Sequence, residues 1–392
     1  MLPLEGITVV AVEQAVAAPF ATRQLADLGA RVIKVERPGR GDFARDYDET
    51  VKGLSSYFVW LNRSKESIAL DLKRPGARAV MARLVERADV FVQNLAPGAA
   101  ERLGLAAGEL TASHPRLVAC SLSGYGSTGP YRDKKAYDLL VQCETGLVSV
   151  TGTPETPAKV GISVADIAAG MYAYAGVLAA LYERERTGRG GALEVSLFDA
   201  LGEWMSHPAY LTAYGGSPPP RTGASHASIV PYGPFPVGGG AEVNLGIQTD
   251  REWATFCETV LERPELATDE RFETNSRRVA NRDALHAIIE GVFGNLGIEQ
   301  VFARLDGAGV AYARMNSVQE LVDHPQLAAR NRWRAVGSPA GPVQALLPPV
   351  IVAGREPRMD PVPAVGEHTD AILRWLGYDD DQIASLQAES AP

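Results

Sequence analysis

Cysteine is scarce: only Cys120, Cys143 and Cys257 occur in 392 residues, with no CxxC pair and no metal-ligand spacing. This excludes a disulfide framework and a structural zinc site, and fits reduced thiols in the cytoplasm. Six histidines lie scattered without an HExxH pair, so no catalytic metal is expected. There is no GxSxG elbow, which leaves Ser225 and Ser228 near His226 without the strained turn of a serine hydrolase. No GxGxxG follows the first strand signal and no P-loop occurs, so the standard dinucleotide and nucleotide signatures are absent. Basic runs are missing too. The 38 Lys and Arg against 47 Asp and Glu give a net charge of −9, which argues against nucleic acid or an anionic membrane as main partner. The start MLPLEGITVV is not a signal peptide. The longest apolar stretch, AAGMYAYAGVLAALYERERTG, is interrupted by small and polar residues and ends in charge, the pattern of a buried helix rather than a membrane span.

What is present is a chain of 46% hydrophobic residues, enough for a sizeable core and long enough for two or three domains. Five strand signals, ITVVAVE (7–13), RVIKVE (31–36), SIALDL (67–72), DVFVQNL (89–95) and LVACSLSGYG (117–126), stand among helical patterns such as 18–30 and 74–88. That alternation predicts an α/β fold: a Rossmann-like parallel sheet with helices on both faces. Ligands on such sheets bind beyond the carboxyl ends of the strands, which directs attention to QAVAAP, RPGRGD, NLAPGA and SGYGSTGP. A long helix is expected at 165–187, then a strand and helix at 192–207. A Gly/Pro/Ser-rich stretch at 214–240 marks a linker. The expected division is a large domain over 1–215, a linker and smaller α+β domain over 216–330, and a C-terminal segment over 331–392 that returns to the large domain.

Asp166, in GISVADIAAG, is the one acidic residue where the long helix begins. It reads either as a helix N-cap or as an exposed carboxylate able to attack an acyl carbonyl. Gly161, Ser163, Ala165 and Gly170 leave room for a substrate. Gly238, Gly239 and Gly240 in FPVGGG read either as a hairpin turn or as a mobile flap. The residues alone do not choose between these readings.

Several long stretches in order resemble the family III CoA-transferases, the group of formyl-CoA transferase and carnitine CoA-transferase. They are LEGITVVAVEQAVAAPFATRQLADLGARVIKVERPGRGD (4–42), LNRSKESIALDLKRPGA (61–77), ADVFVQNLAPGAAERLG (88–104), SLSGYGSTGP, AYDLLVQCETGL and GISVADIAAGMYAYAGVLAALYERERTGRGG. The resemblance implies coenzyme A as co-substrate, no metal, and an intertwined homodimer of two interlocked rings. It also implies catalysis through Asp166, by way of an aspartyl mixed anhydride and an aspartyl-CoA thioester. It places Arg37 and Leu70 at the adenine end of CoA, Asn94 and Leu95 on the CoA path, and Arg102 and Lys135 at its phosphates. Tyr137 and Asp138 fall where the family holds a Tyr–acid pair near the active site, and Gly238–Gly240 where a glycine loop covers the intermediate. The family's early QAGP reads Ala17-Ala18-Pro19 here, behind Gln14, and Gln14 and Val16 are assigned to CoA contact.

The related α-methylacyl-CoA racemases pair the aspartate with a histidine. Tyr137 holds that position here, and a phenol with a reference pKa of about 10 is a poor base, so a racemase is the alternative rather than the first reading. A non-catalytic CoA-binding protein is the alternative from another class. The stretches SHASIVPYGPF, NLGIQTDREW and VSLFDALGEWM resemble the branch acting on succinate, itaconate, citramalate and mesaconate. A second carboxylate on the substrate wants a fixed cation, with Arg45, Arg221 and His226 as candidates.

Overall fold

The computed structural model describes residues 1–390. The chain divides into two compact units, one made of 1–145, 160–206 and 327–392, the other of 146–159 and 207–326.

The first unit is built on six strands: β1 (Thr8–Val12), β2 (Arg31–Glu36), β3 (Lys65–Ala69), β4 (Val90–Gln93), β5 (Val118–Ser123) and β6 (Gly191–Ser196). Their order is β3-β2-β1-β4-β5-β6 and every pairing is parallel. Val10 sits opposite Ile33 on one side and Phe91 on the other, and all three are fully buried. Such runs form central parallel strands because both faces are covered and neither needs polar residues. β3 begins at Lys65, two residues before the expected start. Hydrophobicity gave no sign of this, because Lys65 is buried on an ion pair with Glu13 of the β1–α1 turn.

The helices here are α1 (Ala17–Asp27), α2 (Ser56–Asn62), α3 (Pro75–Arg87), α4 (Ala99–Arg102), α5 (Ala107–Ser113) and α6 (Asp138–Glu144). After α7 (Leu147–Val150), which belongs to the second unit, come α8 (Val164–Thr187) and α9 (Leu197–Trp204). α1 stops at Leu28, followed by Gly29 at φ +104°, a conformation glycine adopts without strain. α8 is long and apolar enough by length and composition to cross a bilayer. In this fold it packs on α1, α6, α9, β5 and β6. Residues 363–378 close the β3 edge: the His368 amide donates to the Ser67 carbonyl, and the Ala69 amide donates to Thr369 Oγ1.

The second unit holds an antiparallel sheet of β7 (Tyr232–Pro236), β8 (Glu242–Gly246) and β9 (Ala311–Ala313). Helices Asp250–Thr255, Arg282–Phe293 and Ile298–Ala308 share with it a core containing Phe235, Trp253, Phe256, Phe272 and Phe293. Segment 146–159 also belongs to this unit, where Arg221 donates to the carbonyls of Ser149, Thr153 and Pro154.

Candidate active site

The order of the sheet reverses between β1 and β4, and in open α/β sheets the crevice beyond those two carboxyl ends is the usual ligand site. Two predicted residues meet there. The Asn94 side chain accepts from the Gln14 amide at 2.9 Å and donates to the Gln14 carbonyl at 2.8 Å. The next residue, Ala15, has φ +61°, and its amide donates to Asp42 Oδ1. A left-handed alanine costs energy, so the turn between β1 and α1 is held in shape by Asn94 and Asp42 together.

Asp42 belongs to a buried charge cluster beneath this turn. Lys34 Nζ reaches Asp42 Oδ2 at 2.8 Å and Glu13 Oε1 at 3.4 Å, while Lys65 Nζ donates to Glu13 Oε1 at 2.7 Å. Burial pushes the Glu13 carboxyl up, but Lys65 and Lys34 outweigh it and hold it below the ordinary carboxylate value. Burial likewise pushes Lys34 down, and Asp42 and Glu13 outweigh it in turn, so its pKa is raised. Lys65 is the exception: burial takes it down to about 8 despite Glu13.

α8 starts beside α1. A side chain at Gly170 would place its Cβ 2.7 Å from the Ala17 carbonyl and 3.0 Å from the Phe20 ring. Only glycine lets the two helices approach this closely, and the approach brings the first turn of α8 toward the start of α1. Asp166 lies in that first turn, half-buried. It is not the cap. The N-cap is Ser163, whose side chain makes no capping bond. The cap comes from α6 instead: Asp138 Oδ1 accepts from the amides of Ala165 at 2.7 Å and Asp166 at 3.3 Å. The carboxyl of Asp166 has no ion pair and accepts no hydrogen bond among the described residues, and burial, then the neighbouring Asp138 charge, push it up to about 7.

Tyr137, at the N-cap of α6, is 67% exposed. Tyr47 also belongs here: burial, then the charges of Asp42 and Asp166, push its phenol up to about 12. Its ring packs on Phe43 and Tyr57. Tyr47 was not singled out from the sequence; the aromatics Phe43, Tyr47, Tyr57 and Trp60 following RPGRGD were the available signal.

The remaining predicted residues fall in several settings. Arg37, Arg102 and Lys135 are exposed, and the Arg102 guanidinium folds over Gly98. Leu95 is half-buried, with its amide on Gln93 Oε1. Val16 and Leu70 are 3% and 5% exposed and pack in the interior. Arg45 is not a free cation: its guanidinium pairs with both oxygens of Glu36, donates to the Pro363 carbonyl and stacks 3.6 Å over Phe58. Arg221 is also committed, to the three carbonyls of segment 146–159. The expectation that either arginine meets a substrate carboxylate is corrected on that ground. His226 stacks on Tyr232, and its Nδ1 accepts the Ser228 amide, which leaves the proton on Nε2. Gly238 donates to the Leu296 carbonyl at 2.8 Å, while Gly239 and Gly240 turn the β7–β8 hairpin at φ +88° and +82°.

A model of CoA-transferase family III matches residues 4–369. An acetyl-CoA:oxalate CoA-transferase of Acetobacter aceti is 38% identical over 347 residues, covering 87% of this chain and 89% of its own. A succinyl-CoA:glutarate CoA-transferase of Homo sapiens is 34% identical, covering 98% and 88%. Among solved structures, a CAIB/BAIF family protein from Brucella suis superposes with a TM-score of 0.82 at 34% identity, covering 96% of this chain and 99% of that one.

Proposed function

The chain belongs to CoA-transferase family III, and from that premise we propose that it moves CoA from succinyl-CoA to a small dicarboxylate, with Asp166 as the covalent carrier. The observation that carries this reading is the carboxyl of Asp166, half-buried at a helix start, without a cation, and basic beyond an ordinary aspartate. A carboxylate with a raised pKa is the better nucleophile once ionised.

In this mechanism an ionised Asp166 oxygen attacks the thioester carbonyl. The C–S bond breaks, CoA leaves as thiolate, and a mixed anhydride remains. The thiolate attacks the aspartyl carbonyl of that anhydride, releasing the donor acid and forming an aspartyl-CoA thioester. The acceptor carboxylate then attacks this thioester and expels the thiolate again. The thiolate finally takes the acceptor's acyl group, and Asp166 is regenerated as carboxylate. Exclusion of water protects both intermediates, a role assigned to the Gly238–Gly240 hairpin. Gln14, Asn94 and Leu95, at the reversal point of the sheet, are assigned to the CoA path. Val16, Leu70, Arg37, Arg102 and Lys135 are assigned to its remaining length, and Tyr137 to the active-site wall.

Two relatives are named for oxalate and glutarate, and both names support a dicarboxylate acceptor. Of the three candidates, His226 keeps an Nε2–H donor without a partner among the described residues, and it is assigned to the second carboxylate as a neutral hydrogen-bond donor. The proposal includes a cytoplasmic homodimer. Incubation with succinyl-CoA and intact-mass analysis tests the mechanism: a CoA adduct confined to the Asp166 peptide is expected, and an adduct elsewhere overturns it. Rates with oxalate, glutarate, malate and citramalate are expected to exceed those with long-chain monocarboxylates, and the reverse ranking overturns the acceptor class.

A further inference from the structure

The cap that Asp138 supplies is itself held from behind. Gln142 lies one turn further along α6 and is fully buried. Its Nε2 donates to Asp138 Oδ2 at 2.6 Å, and its Oε1 accepts the Val160 amide at 3.0 Å. This orientation of the amide satisfies both partners; the flipped one would set oxygen against carboxylate and N–H against N–H. Gln142 therefore grips two things at once. One is the Asp138 oxygen that does not cap α8, which leaves Oδ1 aimed at the amides of Ala165 and Asp166. The other is the chain at Val160, a few residues before α8 begins. The first turn of α8 is thus fixed from its amides and from its lead-in by a single side chain.

We propose that Gln142 is a positioning residue for the nucleophile: it acts through Asp138 and Val160 to set where the Asp166 carboxylate meets the thioester. This rests on the reading of Asp166 as covalent carrier. Gln142 touches no substrate. Its contribution belongs to kcat rather than to CoA binding, because the CoA path assigned above runs through other elements. A misplacement of about 1 Å at a reacting atom costs roughly 10²-fold in rate.

The test is a swap of hydrogen-bonding sense. In Gln142→Glu the acceptor toward Val160 survives, but the donor toward Asp138 becomes a carboxylate oxygen. The double variant Asp138→Asn/Gln142→Glu restores every bond: the Asn amide nitrogen donates to Glu, its oxygen still caps α8, and the pair again carries one negative charge. Expected for Gln142→Glu is a fall in kcat of roughly 10²-fold, with KM for succinyl-CoA unchanged. The double variant should recover a large part of kcat. An unchanged kcat in Gln142→Glu overturns the proposal, and so does a loss that the double variant fails to relieve. If Gln142→Glu does not fold, Gln142→Met is the reference, and a double variant no faster than it is likewise fatal. Intact mass separates the two readings. A wild-type enzyme without the Asp166 adduct overturns the carrier, whereas an adduct alongside an unaffected Gln142→Glu overturns only the positioning role.

Discussion

Two sets of acidic residues in the first unit are built on opposite principles. Under the β1–α1 turn, Glu13 and Asp42 are interleaved with Lys34 and Lys65, all four buried. At the start of α8, Asp166 lies beside Asp138 and has no cation partner among the described residues. The first arrangement holds Glu13 ionised and braces a strained turn. The second penalises ionisation of Asp166. Burial is common to both and pushes both carboxyls up; in the first set Lys65 and Lys34 outweigh it, and in the second the Asp138 charge adds to it. The paired cluster puts its electrostatics into shape, whereas the unpaired carboxyl stays basic.

The sharpest way to break this comparison is Asp166→Ala. Transfer from succinyl-CoA should fall by at least roughly 10⁴-fold, while circular dichroism and the melting curve stay those of a folded chain. The paired cluster should show the reverse profile. Lys34→Met leaves Asp42 and Glu13 buried with one cation fewer, at a cost of about 3–5 kcal/mol in denaturant unfolding. A Lys34→Met protein as stable as wild type would mean that the cluster is not bracing the turn.

The raised Asp166 carboxyl makes stability and rate depend on pH. The Asp166 carboxyl titrates near 7 when folded and near 3.8 when unfolded, so the folded chain binds the extra proton between those values. Stability credited to that proton is complete below about pH 4 and is lost as pH rises through 7. Asp166→Asn removes the loss. It should match wild type at pH 4 and exceed it at pH 8, by on the order of 2 kcal/mol after discounting for solvent access. In the wild type, kcat/KM should climb with pH to a plateau above about 7, because the attacking oxygen must be ionised. A profile flat from pH 5 to 8 would contradict the raised value. The smallest effect belongs to Arg221→Ala. With its donors on carbonyls, its loss should cost about 1 kcal/mol of stability and leave KM for the acceptor acid unmoved.

The sheet was legible in the sequence because its strands are apolar runs such as TVVAV and VFVQ, which need only be counted. Gly29 marked the end of α1 for a local reason, its positive φ. The cap of α8 was not legible. Asp166 had the right residue type near the right place, but the capping carboxylate comes from 27 residues upstream, across a helix–helix contact. Arg45 looked like a spare cation because its partner Glu36 reads as the end of a strand. The assignment of 146–159 to the second unit was equally hidden, since it depends on backbone carbonyls that any residue would present to Arg221. Structure carried by local residue pattern was readable; structure carried by main-chain groups and distant partners was not.

The closed edge of the sheet has a consequence for how the protein is made. Ser67 and Ala69 in β3 bond to His368 and Thr369 respectively, some 300 residues later. Gly366 fits against Ala69 at φ +68°, and the bracing of Arg45 is completed by the Pro363 carbonyl. During synthesis the amino-terminal strands leave the ribosome long before these residues exist, with β3 an open edge ready to pair with another nascent chain. Residues 363–369 thus act as the latch of the first unit. A ribosome that stalls before residue 363 would release an unlatched sheet suited to aggregation.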